Sequence, residues 1–200
     1  MTSAASGTTR VNVPSDAPSD ALEALRAVEV MRAIDGARVT VPEVVGARGT
    51  VVRAVELARD AIPTLDAAGV RLVVVSIGTL ERAKDFSREN DFPIELLYAD
   101  AESATYEALK LRKGAKQTFM EKSTPESILK RWNKDGAKDL LGVLKRWKPW
   151  LPPRPDQGYQ QGGSFVFRDG VATYVSYDVS TGAHAPLDDI FEAAGVSTSN

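Results

Sequence analysis

The stretch RLVVVSIG, Arg71–Gly78, decides the architecture. It is an apolar run, interrupted only by Ser76, between a charge and a glycine, and too short to span a bilayer. Its consecutive valines suit an extended chain. A strand that is apolar throughout, not alternately, belongs at the centre of a sheet covered on both faces. Working outward, Thr79 is placed to cap a helix running to about Asn90. Ile94–Tyr98 is a second strand of the same kind, and Asp100 caps a helix from Ala101 to about Leu111 that Gly114 closes. Upstream, Val51, Val55, Ala58, Ile62 and Leu65 follow i, i+4, i+7, i+11, i+14, one apolar stripe of a helix from about Thr50 to Ala67. Pro63 removes a backbone donor and is expected to kink that helix, which Gly69 ends. Strand and helix alternate, which predicts a parallel βαβ core.

Two hairpins flank this core. From about Leu25 to Val45, AVEVMRAI and RVTV enclose Asp35-Gly36, a dipeptide suited to the left-handed backbone of a tight turn. SFVFR and VATYVSY enclose Asp169-Gly170 in the same way. A last helix opens at His184-Ala185-Pro186-Leu187-Asp188-Asp189, with proline and acids at its positive end, and stops at Gly195. Between core and second hairpin, Thr124-Pro125-Glu126 starts one helix, Ala137–Trp147 forms another, and PWLPPRP, Pro149–Pro155, is extended. The expected domain covers residues 25–195, with a helical insertion over about 112–155. A disordered or extended tail precedes it over 1–24, and a short one follows over 196–200.

With 43% hydrophobic and 26% charged residues, the chain can bury a sizeable core. It contains no cysteine and one histidine, His184. Disulfides, iron–sulfur clusters, zinc–thiolate sites and thiol catalysis are therefore excluded for these 200 residues, and no cofactor or metal is expected. The N-terminal stretch lacks the apolar core of a secretory signal. It loosely resembles the remnant of an organelle transit peptide, although Arg10 stands against Asp16 and Asp20.

Three other features invite a chemical reading. His184, Ser180 and Asp178 or Asp188 have the residue types of a hydrolytic triad. No nucleophile elbow accompanies them, so a structural loop is the expectation. Gln160-Gln161-Gly162-Gly163 lacks the phosphate-loop pattern and leads into a strand, so a turn is expected. The third feature is charge. Lys110–Arg154 holds thirteen Lys and Arg against four acids, a net +9, which leaves −11 for the rest of a chain whose total is −2. All three tryptophans, Trp132, Trp147 and Trp150, fall in this segment. Its apolar positions, Ile128, Leu129, Trp132, Leu140, Leu141, Leu144 and Trp147, form stripes that can pack on the sheet with lysines outside. Arg131, Trp132, Lys145, Arg146, Trp147, Lys148 and Trp150 are the candidate contact residues. Trp150 is the one expected to be exposed. Such a patch suits an acidic protein surface or an anionic membrane. Nucleic acid is the least favoured partner, since no recognised binding module is present.

The element order, ββ, α, β, α, β, helical insertion, ββ, α, matches an elaborated thioredoxin fold. LDAAGVRLVVVSIGT, DFPIELLYADAESATYEALKLRKG, QGGSFVFRDG and STGAHAPLDD, four segments in order between about Ala27 and Ala194, closely resemble the peroxiredoxin-like 2 family. That family lies in the alkyl hydroperoxide reductase/thiol-specific antioxidant superfamily. The resemblance implies a Cys-x-x-Cys or single Cys at the start of the first long helix, just after a central strand. An ungapped match through Glu56-Leu57-Ala58 puts Val51 and Ala54 at those positions, and neither can form a thiolate.

The resemblance also implies ten or more further residues before this helix, where only about Gly46–Gly49 remain. In one alignment Thr50–Val55 starts the helix and the strand is lost. In the other, TVVRAV is the strand and the active-site loop is lost. The helical stripe and Arg53 in mid-run favour the first. The expected protein is a thioredoxin-like α/β domain without that strand. It would be a non-catalytic interaction or accessory subunit of a larger assembly, with a plastid membrane complex as its setting. The alternative is a peroxiredoxin-like oxidoreductase whose cysteine segment is missing from this sequence.

Overall fold

A computed structural model describes residues 8–46, 48–52, 55–111, 160–179 and 184–197. Among the described residues, eight strands form one sheet: β1 (Thr9–Val11), β2 (Glu29–Arg32), β3 (Arg38–Thr40), β4 (Arg48–Val52), β5 (Arg71–Ile77), β6 (Leu97–Asp100), β7 (Gly163–Arg168) and β8 (Val171–Tyr177). Their spatial order is β1-β8-β7-β4-β5-β6-β2-β3. Strands β5 and β6 are parallel, as the βαβ rhythm predicts, and β4 also runs parallel to β5. β7 runs antiparallel to β4, β8 to β7, β2 to β6 and β3 to β2, whereas β1 lies parallel to β8. The helices of the described residues are α1 (Ala21–Ala24), α2 (Val41–Val45), α3 (Val55–Ala67), α4 (Leu80–Asn90), α5 (Ala104–Ala108) and α6 (Leu187–Ala194). This mixed α/β arrangement is consistent with a thioredoxin-like fold.

The apolar run at Arg71–Gly78 does what its composition requires. Side chains alternate across a strand, so an all-apolar strand feeds two cores. Leu72 and Val74 pack on one face with Ala61 and Leu65 of α3, Ala83 of α4 and Ile190, Phe191 and Ala194 of α6. Val73 and Val75 pack on the other with Ala21 and Leu25, with Val41, Val44 and Val45 of α2, and with Tyr106 and Leu109. Neighbouring strands follow suit: Leu97 and Ala99 face the first core and Tyr98 the second.

The central strand is not lost. Arg48–Val52 form β4, paired over five positions with β7 and three with β5. This corrects the expected absence of the strand before the usual active site, and it places Val51 opposite Phe165 and Val73, within a strand and not at the start of a helix. The physical reason is pairing. Without β4, the facing edges of β5 and β7 would leave two rows of backbone donors and acceptors unsatisfied in the sheet centre. The β-branched Thr50, Val51 and Val52 suit the strand, and the stripe continues as a helix only from Val55. That helix runs on through Pro63 to Ala67.

Smaller differences have local causes. The first hairpin forms as read, with Gly36 at φ +75°, but Val41–Val45 turn into α2, where Thr40 and Glu43 make a capping box. Pro93 opens a single 3₁₀ turn, so β6 begins at Leu97 and not at Ile94. The N-terminal segment lies extended against β8 over Thr9–Val11 before the short helix α1. The helices expected after Thr124 and over Ala137–Trp147, and the extended PWLPPRP, lie outside the described residues.

Candidate functional site at the carboxyl edge of the sheet

In open α/β sheets, ligands bind beyond the carboxyl ends of the parallel strands. Register places five chain segments at that edge. Val52 ends β4 opposite Ser164. Ile77 and Asp100 end β5 and β6 side by side. Gly163 starts β7 opposite Tyr177, the end of β8. Only residues 53 and 54 separate β4 from α3. Val51 lies one residue inside this edge, and Ala54 lies outside the described residues.

Four buried polar groups organise the edge. Asp100, 2% exposed, accepts from the Ala104 N–H at 2.9 Å through one carboxylate oxygen and from the Thr105 N–H at 2.8 Å through the other. It thereby satisfies the first donors of α5, but that helix spans Ala104–Ala108 with Ser103 before it, and not Ala101 to Leu111 as expected. Burial nevertheless pushes its carboxyl above its ordinary range, and those N–H donors offset the shift only in part. The Tyr177 hydroxyl donates to the Leu109 carbonyl at 2.6 Å, and burial raises its pKa to about 12. Tyr106 Oη donates to the Val75 carbonyl at 3.1 Å, tying α5 to the centre of the sheet. Gln160 Nε2 donates to the Leu111 carbonyl at 3.1 Å.

The Gln160 bond has a topological consequence. Leu111 and Gln160 bound the segment 112–159, so the base of that segment is drawn together at the carboxyl edge. The candidate contact residues Arg131, Trp132, Lys145, Arg146, Trp147, Lys148 and Trp150 all lie within it, outside the described residues.

Gln160–Gly163 is a buried strand entry and does not form the isolated turn expected. Gln160 and Gln161 are 4% and 3% exposed, and the Asp178 N–H donates to the Gly162 carbonyl at 3.0 Å. At Gly163 a Cβ would stand 2.6 Å from the Ser176 carbonyl oxygen. Glycine is required there by close packing between strands.

Of the residues weighed as a triad, the structure brings two together. His184 Nδ1 lies 3.2 Å from Asp178 Oδ2, with the carboxylate side chain 4% and the imidazole 28% exposed. Ser180 lies outside the described residues, and Asp188 sits in the first turn of α6. A buried carboxylate that orients an imidazole can support base chemistry, but an acid–base pair is by itself only two members of a hydrolytic triad. Among the described residues, no group of three or more His, Asp or Glu is arranged to hold a metal ion, and no helix is long and apolar enough to cross a membrane.

Sequence reasoning singled out Asp100 only as a helix cap, and it did not find the roles of Tyr106, Tyr177 and Gln160. Their partners are backbone carbonyls 31, 68 and 49 residues away, and no local pattern encodes such pairs.

Comparison with known proteins agrees with this architecture. The family model described as AhpC/TSA antioxidant enzyme matches residues 56–180. The match begins just inside α3, past β4 and the position of the reactive loop. Among curated proteins, the chain is 31% identical over 133 residues to "Thioredoxin-like protein AAED1, chloroplastic" of Arabidopsis thaliana. That alignment covers 64% of this chain and 50% of the relative, so the chain spans about half the length of the curated relative it matches. With more than half of its residues matched, the chain belongs to the AhpC/TSA antioxidant enzyme family, as a member with no cysteine in its 200 residues.

Proposed function

We propose that this chain is a non-catalytic, thioredoxin-like member of its family that serves as an interaction or accessory subunit of a larger assembly. The observation that carries the reading is the direct passage from β4 to α3 through residues 53 and 54, in a chain without cysteine. The family's chemistry needs a thiolate at that junction, and no other side chain supplies an equivalent nucleophile for peroxide or disulfide. The polar groups that would line such a site are engaged in holding the edge together, as with Tyr177 on Leu109 and Gln160 on Leu111.

The contact surface in this reading is the basic, tryptophan-bearing segment rooted at that same edge, and its partner is an acidic protein surface or a membrane-associated complex. The plastid is the proposed compartment, because the Arabidopsis relative is named chloroplastic. Attraction between a +9 segment and an acidic partner weakens with salt. Co-purification from plastid extract is therefore expected at low salt. It is expected to be lost at high salt and on Trp150→Ala combined with Arg146→Glu and Lys148→Glu. Association that survives those changes refutes the contact assignment. Reduction of peroxide by the purified chain with a thiol or NADPH donor refutes the non-catalytic reading.

One observation favours a second reading. The family match starts at Glu56, as though a contiguous segment ahead of α3 were missing. Transcript sequence between the codons of Val45 and Glu56 decides it, since a cysteine-bearing stretch there makes the complete protein an oxidoreductase of the antioxidant type.

A further inference from the structure

Two Asp-Gly dipeptides turn the hairpins, Asp35-Gly36 and Asp169-Gly170. Such a dipeptide is open to attack by its own backbone, because glycine has no Cβ to shield its nitrogen. The glycine nitrogen bonds to the aspartate Cγ. The amide proton and the hydroxyl of the protonated carboxyl leave as water, and a five-membered succinimide forms. Water then adds to one of the two succinimide carbonyls and breaks its C–N bond. One product is aspartate again. The other is isoaspartate, whose main chain runs through Cβ and Cγ. The net change is an isomerisation, with no oxidant, reductant or cofactor consumed.

Attack needs rotation about the aspartate Cα–C bond, so each turn must open first. The turn with fewer ties opens more often. At the first hairpin both Asp35 carboxylate oxygens are held by Arg32, at 3.0 and 2.7 Å, and Oδ1 also accepts from the Ala37 N–H at 3.0 Å. The attacking nitrogen is engaged as well, since the Gly36 N–H donates to the Arg32 carbonyl at 2.8 Å. Leu80 Cδ2 closes over Gly36, 3.1 Å from where a Cβ would stand. The Arg32 guanidinium, and after it the Ala37 N–H, hold the Asp35 carboxyl below its ordinary range, which keeps it in the unreactive ionised form.

The second hairpin has none of these ties. Asp169, Gly170 and Val171 are exposed, Val171 at 57%. Among the described residues, the Asp169 carboxylate has no ion pair and the Gly170 N–H no acceptor. Nothing lies within 4 Å of a Cβ placed on Gly170. A register irregularity between Val166 and Phe167 separates this tip from the longer ladder. Arg168 stays paired with Arg48 of β4, so what opens is Asp169–Val171.

We propose that Asp169-Gly170 is a covalent modification site at which the folded chain forms succinimide and isoaspartate, and that its tertiary ties protect Asp35-Gly36 from the same reaction. Isoaspartate adds one atom to the main chain of a two-residue turn, so the turn no longer closes on the Arg168↔Val171 pair. The next residue, Ala172, gives its carbonyl to Thr8 Oγ1 at 2.7 Å, so the change also reaches the anchorage of β1.

The test holds the full-length protein at pH 6 in heavy-oxygen water, folded or in concentrated urea. It is then digested with a protease that cleaves before aspartate and read by mass spectrometry. Each succinimide that hydrolyses leaves one heavy oxygen at its site, and isoaspartate resists cleavage. In the folded protein both signals are expected at residue 169 at about ten times their level at residue 35, the effect of one or two hydrogen bonds. In urea, where the ties are gone, the two sites are expected to converge. Arg32→Ala is expected to raise the signal at residue 35 several-fold and leave residue 169 unchanged. Equal reaction at both sites of the folded protein, faster reaction at residue 35, or inertness at both while the urea sample reacts overturns the proposal. A preference for residue 169 that persists in urea overturns it too, because it then belongs to the local sequence. The comparison of folded and urea samples stands even if Arg32→Ala does not fold; if it folds with an unchanged signal at residue 35, the protection by Arg32 is refuted.

Discussion

Replacing Gly163 with alanine sets two effects of opposite sign against each other at one atom. Gly163 sits in β7 with an ordinary φ, so alanine adopts its backbone without strain and restricts the unfolded chain. On that ground alone, the substitution stabilises by about 0.4–1 kcal/mol. Against it stands the packing. The new methyl would lie 2.6 Å from the Ser176 carbonyl oxygen, 3.0 Å from Phe165 Cε2 and 3.3 Å from Leu111 Cδ2. The first of these is backbone, held between β7 and β1, and cannot swing away as a flexible side chain would. Overpacking of this kind costs about 1–3 kcal/mol. The clash therefore wins, by roughly 1–2 kcal/mol. In a domain of this size that lowers Tm by about 2–8 °C. Thermal unfolding followed by circular dichroism measures it. Gly170→Ala is the control, because its glycine has φ +79° and open space around the missing Cβ, so only backbone strain acts there. A Gly163→Ala protein as stable as the parent would refute the close approach of β7 and β8 at the carboxyl edge.

Three further outcomes are expected. Asp100 has a raised folded pKa, so its contribution to stability is complete below its ordinary value of 3.8 and is lost as pH rises through the elevated folded value; urea unfolding of parent and Asp100→Asn at pH 4 and pH 7 should show the parent losing ground to the variant, and a pH-independent difference contradicts the burial cause. Tyr177→Phe removes the 2.6 Å bond to the Leu109 carbonyl and should cost about 1–2 kcal/mol in chemical denaturation; in the parent, phenolate absorbance from Tyr177 should emerge only near pH 12. His184→Ala leaves the buried Asp178 carboxylate without its ring partner and should destabilise by about 1–3 kcal/mol, whereas His184→Asn, which retains a donor, should recover part of the loss; equal stability of all three proteins would show that the pair is not formed in solution.

Periodicity and turn chemistry made much of this fold legible. The valines of Arg71–Gly78, the Thr79 and Asp100 caps, and the Asp35-Gly36 and Asp169-Gly170 turns act within a few residues of themselves, so the local reading and the structure agree. Less of the site was legible. The His184–Asp178 contact spans six residues and was among the pairs considered, but the bonds from Gln160 to Leu111 and from Tyr177 to Leu109 close loops of 49 and 68 residues. Such partners are chosen by where strands end in space, which no window of sequence contains.

By itself, the sequence determined that these 200 residues cannot perform thiol chemistry, because a missing element of composition needs no geometry to be decisive. It also determined that a two-faced central strand exists, because only burial on both sides makes such an apolar run favourable. Tertiary structure alone decided the state of Arg48–Val52. Its β-branched residues suit a strand, and the spacing of Val51, Val55 and Ala58 suits a helix, so local preference is nearly balanced. The vacant place between β5 and β7 breaks the balance, since eight ladder pairs satisfy backbone groups that neither neighbour could satisfy alone.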